Sequence, residues 1–253
     1  MLELQKANMW KRISAGLCDL MLLAMLAVGV AFLLAGITKF DTHFTELEDI
    51  KASYEEKYGV TFEGMTTEKL EAMTKEEREP YYAAAEEYGR DEQASRAYSM
   101  LFNLSLIITT FSILISTLAL EFVVPLLFGD GRTLGKKVFG IGVMRADGVR
   151  VTPPLLFARA LLGKCTVELL VPLLSVVMIF FNAVPLMGII AILAVTLVQL
   201  SLLATSPTRE LIHDKLAHTV TVDVASQRIF DTYEELLAYK QRIAAEAASR
   251  QDY

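Results

Sequence analysis

Arg12 and Asp19 stand seven residues apart at the head of an apolar stretch, 13–37, in which Asp19 is the only charge. A charge in hydrocarbon costs about 3 kcal/mol or more, so it normally faces protein or a water-filled cavity. Seven residues is close to two helical turns, which puts both side chains on one face, roughly 10 Å apart along the axis. One reading makes Asp19 a titrating carboxylate on an ion path. The other has Arg12 reaching the lipid headgroups while Asp19 holds the bundle through a local pair. A second polar set lies further on. Lys164 and Glu168 are spaced i,i+4, so they can pair along one face and share the cost of desolvation. Pro172, four residues after Glu168, lacks the amide that would bond the Glu168 carbonyl. A freed carbonyl beside an acid is how many transporters hold a cation at mid-membrane. The plainer alternative is a proline kink braced by an ion pair. Asn103, Glu121 and Gln199 complete the intramembrane polar residues.

Other constellations are weaker. His213 and His218 are five apart, off the i,i+4 face of a helical metal pair. Asp214 and His218 do share a face and could hydrogen-bond. The run Gly129-Asp130-Gly131-Arg132-Thr133-Leu134-Gly135-Lys136-Lys137 departs from a phosphate loop, with Asp130 at a glycine position and Lys137 in place of Ser/Thr. Its glycines fit tight turns and its three basic residues fit lipid phosphates. Cys18 and Cys165 both lie in apolar segments and suggest neither a metal cluster nor a disulfide framework. The chain reads as no enzyme, with no cofactor and no metal, and its few basic residues give no support to nucleic-acid binding.

These residues need a membrane frame. Hydrophobic residues are 53% of the 253, and the mean hydropathy is +0.41. Four segments are long enough to span a bilayer: 13–37, 99–128, 158–181 and 183–205, the last two joined by a tight turn at Asn182–Pro185. The fold class expected is an all-α membrane protein: four transmembrane helices, a small cytoplasmic β-hairpin and an extracytoplasmic helical insert. The chain divides into 1–37 (N-terminus and first span), 38–98 (acidic insert), 99–128 (second span), 129–157 (basic loop), 158–205 (transmembrane hairpin) and 206–253 (C-terminal segment with a polar helix). Basic residues precede the first span as in a secretory signal, but the run is too long for a signal core and reads as a retained span.

The net charge of −6 hides an asymmetry: 38–98 carries 16 acids against eight Lys/Arg, whereas 129–157 carries five Lys/Arg against two acids. The positive-inside rule then puts both termini in the cytoplasm and 38–98 outside a multi-pass cell-membrane protein. In the insert, Thr74 with Glu77 fits a capping box, Thr66 or Thr67 caps a helix through Met73, and the tyrosines pack the insert on itself or rest at the membrane surface. In 129–157, the alternation of Val138–Arg145, a turn at 146–148 and Val149–Thr152 predict the hairpin, with Thr219–Val224 as a third small strand. Thr152 caps a helix opened by Pro153 and Pro154. The tail helix, Tyr233–Arg250, would lie on the membrane or a partner.

Three ordered blocks resemble a known family: Arg12-Ile-Ser-Ala15-Gly-Leu-Cys-Asp19; Gly131-Arg132-Thr-Leu-Gly135-Lys136-Lys137-Val-Phe-Gly140-Ile-Gly-Val143; and His213-Asp214-Lys-Leu216-Ala-His-Thr219-Val-Thr-Val222. They are similar to the RDD family, named for one arginine and two aspartates, and by motif position these are Arg12, Asp19 and Asp214. The resemblance covers about 8–37 and 99–224, outside the insert and the tail. Leu134 stands where the family has proline, and His218 where it often has glycine. The family is one of integral membrane proteins for which ion or solute transport is the usual proposal. Two functions follow as expectations. The first is a cation/proton or small-solute transporter using a charge network of Arg12, Asp19, Asp214, Lys164 and Glu168, with Arg12 and Asp214 paired across the bundle. Four spans make a thin wall, so a homo-oligomer in the lipid bilayer is expected. The second is a non-catalytic scaffold or assembly factor that recruits a protein partner through the acidic insert and the C-terminal helix.

Overall fold

The computed structural model describes residues 7–180, 185–206 and 210–251. Among them are four helices long and apolar enough to cross a membrane: Met9–Ile37, Glu92–Phe128, Pro153–Ile179 and Pro185–Thr205. Large apolar side chains such as Leu193 and Leu197 face outward along them, as lipid requires. The tight turn expected at Asn182–Pro185 falls, up to Pro185, outside the described residues.

In chain order the elements are α1 (Met9–Ile37), α2 (Phe40–Tyr58), α3 (Thr67–Ala72), α4 (Lys75–Arg90) and α5 (Glu92–Leu118). A π-helical segment, Ala119–Val123, leads into α6 (Val124–Phe128), followed by α7 (Leu134–Val138) and β1 (Ile141–Arg145). Next, α8 (Pro153–Ala158) passes through a longer π-helical segment, Arg159–Leu170, into α9 (Val171–Phe180). The chain ends with α10 (Pro185–Thr205), α11 (Ile212–Leu216), β2 (Thr219–Asp223) and α12 (Tyr233–Gln251). Both π-helical segments stop two residues before a proline, Pro125 and Pro172. A proline cannot donate its amide, and the helix ahead of it widens to i→i+5 bonding, as in Val171 N–H to the Thr166 carbonyl. The break expected at Pro172 therefore takes the form of a wide helix.

The chain forms two compact units, 1–26 with 113–253, and 27–112. In the second unit α2 packs on α4. Tyr54 donates to Asp91 at 2.9 Å, Lys57 meets Glu87 at 2.6 Å, and Tyr58 also donates to Glu87. Lys57 and then Tyr58 hold the Glu87 carboxyl below its ordinary range. Thr66 accepts from the Lys69 amide to cap α3, and Thr74 and Glu77 form the expected capping box on α4. Tyr54 and Tyr88 meet edge to face, so part of the tyrosine set does pack the insert on itself, while Tyr82 and Tyr98 stay exposed.

In the first unit the strand pairing differs from the expected hairpin. The turn at 146–148 closes with Gly148 N–H on the Arg145 carbonyl at 3.0 Å. Yet β1 pairs antiparallel with β2, in register from Ile141↔Asp223 to Arg145↔Thr219. Residues 149–152 contribute only the bridges Met144↔Arg150 and Val149↔Phe230. Pro153 and Pro154 follow at once and cannot donate to a ladder, so the return strand ends early. β2 fits better, since Val220 and Val222 alternate with Thr219 and Thr221, and all four are buried. Thr152 precedes α8 as expected, but its side chain makes no cap bond. At the tail, Leu236 of α12 buries against Phe230 and Val149, worth about 2 kcal/mol for a side chain of that size.

Candidate functional site

The site grows from α1. Ala15 is buried between Arg12 and Asp19, and all three line one cavity of about 340 Å³ within the first unit. The Asp19 carboxylate receives the start of α7. Thr133 Oγ1 donates to it at 2.6 Å and the Gly135 amide at 2.8 Å. Thr133 is also the N-cap of α7, accepting from Lys136 N–H at 3.4 Å. An anion at a helix start is favourable, and this one ties the first span to the loop after the second. Asp19 thus ties α1 to α7, with partners 114 and 116 residues away rather than the local pair expected.

Asp214 is the centre of the network and fully buried. Arg159, itself 3% exposed, donates to Asp214 Oδ1 through Nε at 3.1 Å and Nη2 at 2.7 Å. Thr219 and Thr221 of β2 donate at 3.3 and 3.4 Å, and Arg12 Nη2 lies 3.6 Å from Oδ2, so Arg12 and Asp214 do meet. Burial alone would push the Asp214 carboxyl up. The groups around it, Arg159 above all, then His213, Lys136 and Arg12, outweigh burial and hold it well below its usual range. Its threonine partners replace the His218 contact expected from spacing. His218 instead turns the chain from α11 into β2 with φ of 49°, the left-handed conformation that suits the glycine often found there in the resembling family.

Arg159 therefore makes a charge swap between Arg12 and Asp214 a poor test of their contact. An Arg12→Asp/Asp214→Arg double variant is expected to be no more stable than Asp214→Arg alone. The arginine introduced at 214 would face Arg159 at hydrogen-bond distance. Thermal unfolding in detergent checks this, and a clear recovery in the double variant would make Arg12 the dominant partner.

The i,i+4 pair does not form. Lys164 turns to Glu121 on the π-helical segment after α5. Glu168 instead accepts from Gln199 Nε2 at 2.6 Å and lies 2.7 Å from His213 Nδ1. Gln199 in turn accepts from the Ile212 amide at 3.2 Å, fastening α10 to α11. Burial lowers the His213 pKa, which favours the neutral ring. Spacing along one helix shows which residues can meet, but not which better partners neighbouring elements offer. Glu121, Lys164 and Glu168 all line the cavity with Lys136, Arg159, His213 and Asp214. Asn103 belongs to the other unit.

The expectation that Arg132, Lys136 and Lys137 all face lipid phosphates does not hold for Lys136. Arg132 pairs with Asp130 at 2.6 Å, and Lys137 lies over the Phe128 ring at 3.8 Å. Lys136 turns inward, and its Nζ is buried with no hydrogen-bond partner among the described residues. Arg159, which sequence reasoning passed over, and Lys136, which it assigned to lipid phosphates, are thus central. Arg159 had a usable signal: it is a lone charge in the apolar run Leu155–Leu162, as Asp19 is in the first span. Lys136 had none, because its direction depends on how Thr133 and Gly135 seat α7 on Asp19. Among the described residues no cluster of three or more His, Cys, Asp or Glu could hold a metal ion.

Among comparisons with known proteins, a family model described as the RDD family matches residues 6–218, a range that runs across the acidic insert. No curated protein and no solved structure matches the chain.

Proposed function

The chain belongs to the RDD family, and from that premise we propose that it is a transporter for a monovalent cation or proton, or for a small solute. Its path runs through the charged cavity of the membrane core. The observation that carries this reading is the cavity itself, about 340 Å³ lined by the carboxylates of Asp19, Glu121, Glu168 and Asp214, by four Lys/Arg side chains and by His213. Intramembrane ionisable groups around a cavity commonly mark ion pathways and proton relays. The wide helical segments support it too, since π-helical turns favour functional sites and here carry Glu121, Lys164 and Glu168. The proposed setting is the cell membrane, with both termini cytoplasmic, residues 38–98 outside and a homo-oligomer completing the wall, on the charge asymmetry of the loops.

Flux in sealed proteoliposomes tests the reading. Wild type is expected to move sodium, potassium or protons. Glu168→Gln, which keeps hydrogen bonding to Gln199, is expected to lose at least about tenfold of that flux at unchanged melting temperature, because it removes one of the few charges in a low-dielectric path. Wild type without flux for any of these ions defeats the proposal.

The second reading is a scaffold. Its support is the compact unit 27–112, whose acidic insert carries a net −8 by count of 16 acids and eight Lys/Arg. In α12, Leu237 and Ile243 also stay exposed beside the buried Leu236. On this reading, deleting 41–97 harms the cell more than Glu168→Gln does.

A further inference from the structure

Among the described residues, every charged side chain lining the cavity has a polar partner except Lys136. Glu121 meets Lys164, Asp214 meets Arg159 and Arg12, Glu168 meets Gln199 and His213, and Asp19 meets Thr133 and Gly135. The Lys136 ammonium faces Glu121 from the segment after α5, Arg159 and Lys164 from the segment after α8, and Asp214 from α11. It hydrogen-bonds to none of them, and a buried unpaired charge is among the costliest arrangements a protein can hold. Burial first, then repulsion from Arg159 and Lys164, overcomes the attraction of Glu121 and Asp214 and brings its pKa down to about 7.

The charge count around the cavity gives this a consequence. Arg12, Lys136, Arg159 and Lys164 stand against Asp19, Glu121, Glu168 and Asp214, four against four, with His213 favouring its neutral form. The cavity is balanced while Lys136 carries its proton and holds one excess negative charge once the proton leaves. A low-dielectric space resists a net charge of either sign. Of the four bases, the two arginines cannot lose a proton in a protein, and Lys164 is paired with Glu121. About 340 Å³ has room for an alkali cation with several waters, at roughly 30 Å³ per water.

We propose that the cavity holds either a proton on Lys136 or one monovalent cation, so that Lys136 is the group that exchanges a proton for the cation, one for one. The proposal rests on the transport reading above and names its coupling residue. In the exchange the N–H bond breaks, its electron pair stays on Nζ, the proton leaves to water, and the arriving cation restores the balance.

The test uses the full chain in lipid nanodiscs with little buffer. Sodium, potassium or lithium chloride is added, with choline chloride as control, while proton release and cation binding are recorded. Wild type is expected to release close to one proton per bound cation at about pH 6 and almost none near pH 8.5, with cation affinity weakening about tenfold per pH unit below about 7. Lys136→Met is expected to bind the cation without releasing a proton and with an affinity that no longer follows pH. Lys136→Arg keeps the charge permanently and is expected to bind at least about tenfold more weakly at an unchanged melting temperature; it decides the matter if the methionine variant does not fold. Proton release that persists in Lys136→Met, or wild-type affinity in Lys136→Arg, overturns the role of Lys136 and leaves transport standing. Wild type that binds no cation and shows no flux overturns both.

Discussion

Replacing Arg159 by leucine is expected to cost about 3–5 kcal/mol of stability, the usual range when one partner of a buried ion pair is removed. Asp214 is fully buried and takes both its short hydrogen bonds, at 3.1 and 2.7 Å, from the Arg159 guanidinium. Arg12 and His213 Nε2, each at 3.6 Å, and the two threonines at 3.3 and 3.4 Å are further partners and are too distant to replace that fork. Thermal or denaturant unfolding in nanodiscs reads the loss as a fall in melting temperature on the order of 10 °C. Arg159→Lys keeps the charge without the planar fork and should fall in between. Arg159→Leu/Asp214→Asn should be less damaged than Arg159→Leu alone, because the stranded charge is gone. An Arg159→Leu protein as stable as wild type would show that Asp214 does not depend on that contact.

Gly135→Ala is expected to be nearly as severe. A Cβ there would lie 2.3 Å from the Ala15 carbonyl oxygen and 2.8 Å from Asp19 Oδ1, distances no side chain adopts. The Ala15 oxygen is helix backbone and cannot swing away, so α7 must lift from α1. Both hydrogen bonds to Asp19 then stretch, and a bond to a charged group is worth about 1.5–3 kcal/mol. Gly29→Ala is the matched control. Nothing lies within 4 Å of its Cβ, and alanine favours a helix over glycine by about 1 kcal/mol. Melting temperatures should therefore separate the two variants in opposite directions. Equal behaviour would remove the close approach of α1 and α7 as the reason for glycine at 135.

Much of the frame was legible in the chain. The spans follow from length and apolar content, and the caps at Thr66 and Thr74 from residue type and spacing, because these are local properties. The strand pairing was misjudged for a local reason as well. A turn signal at 146–148 predicts a hairpin, but nothing local weighs residues 149–152 against a strand some 70 residues later as the partner of β1. The i,i+4 spacing of Lys164 and Glu168 was correct as geometry and wrong as partnership, since Glu121, His213 and Gln199 lie across the bundle.

By itself the sequence determined a four-span membrane chain with Arg12, Asp19 and Asp214 in the blocks of its family, because hydropathy, charge and motif spacing are written along the chain. Only the tertiary structure decided what each charge touches. Asp19 meets Thr133 across 114 residues, Arg159 meets Asp214 across 55, and Lys164 meets Glu121 across 43. A buried charge takes the partner that best offsets its desolvation wherever folding brings one, and for Lys136 folding brought none among the described residues.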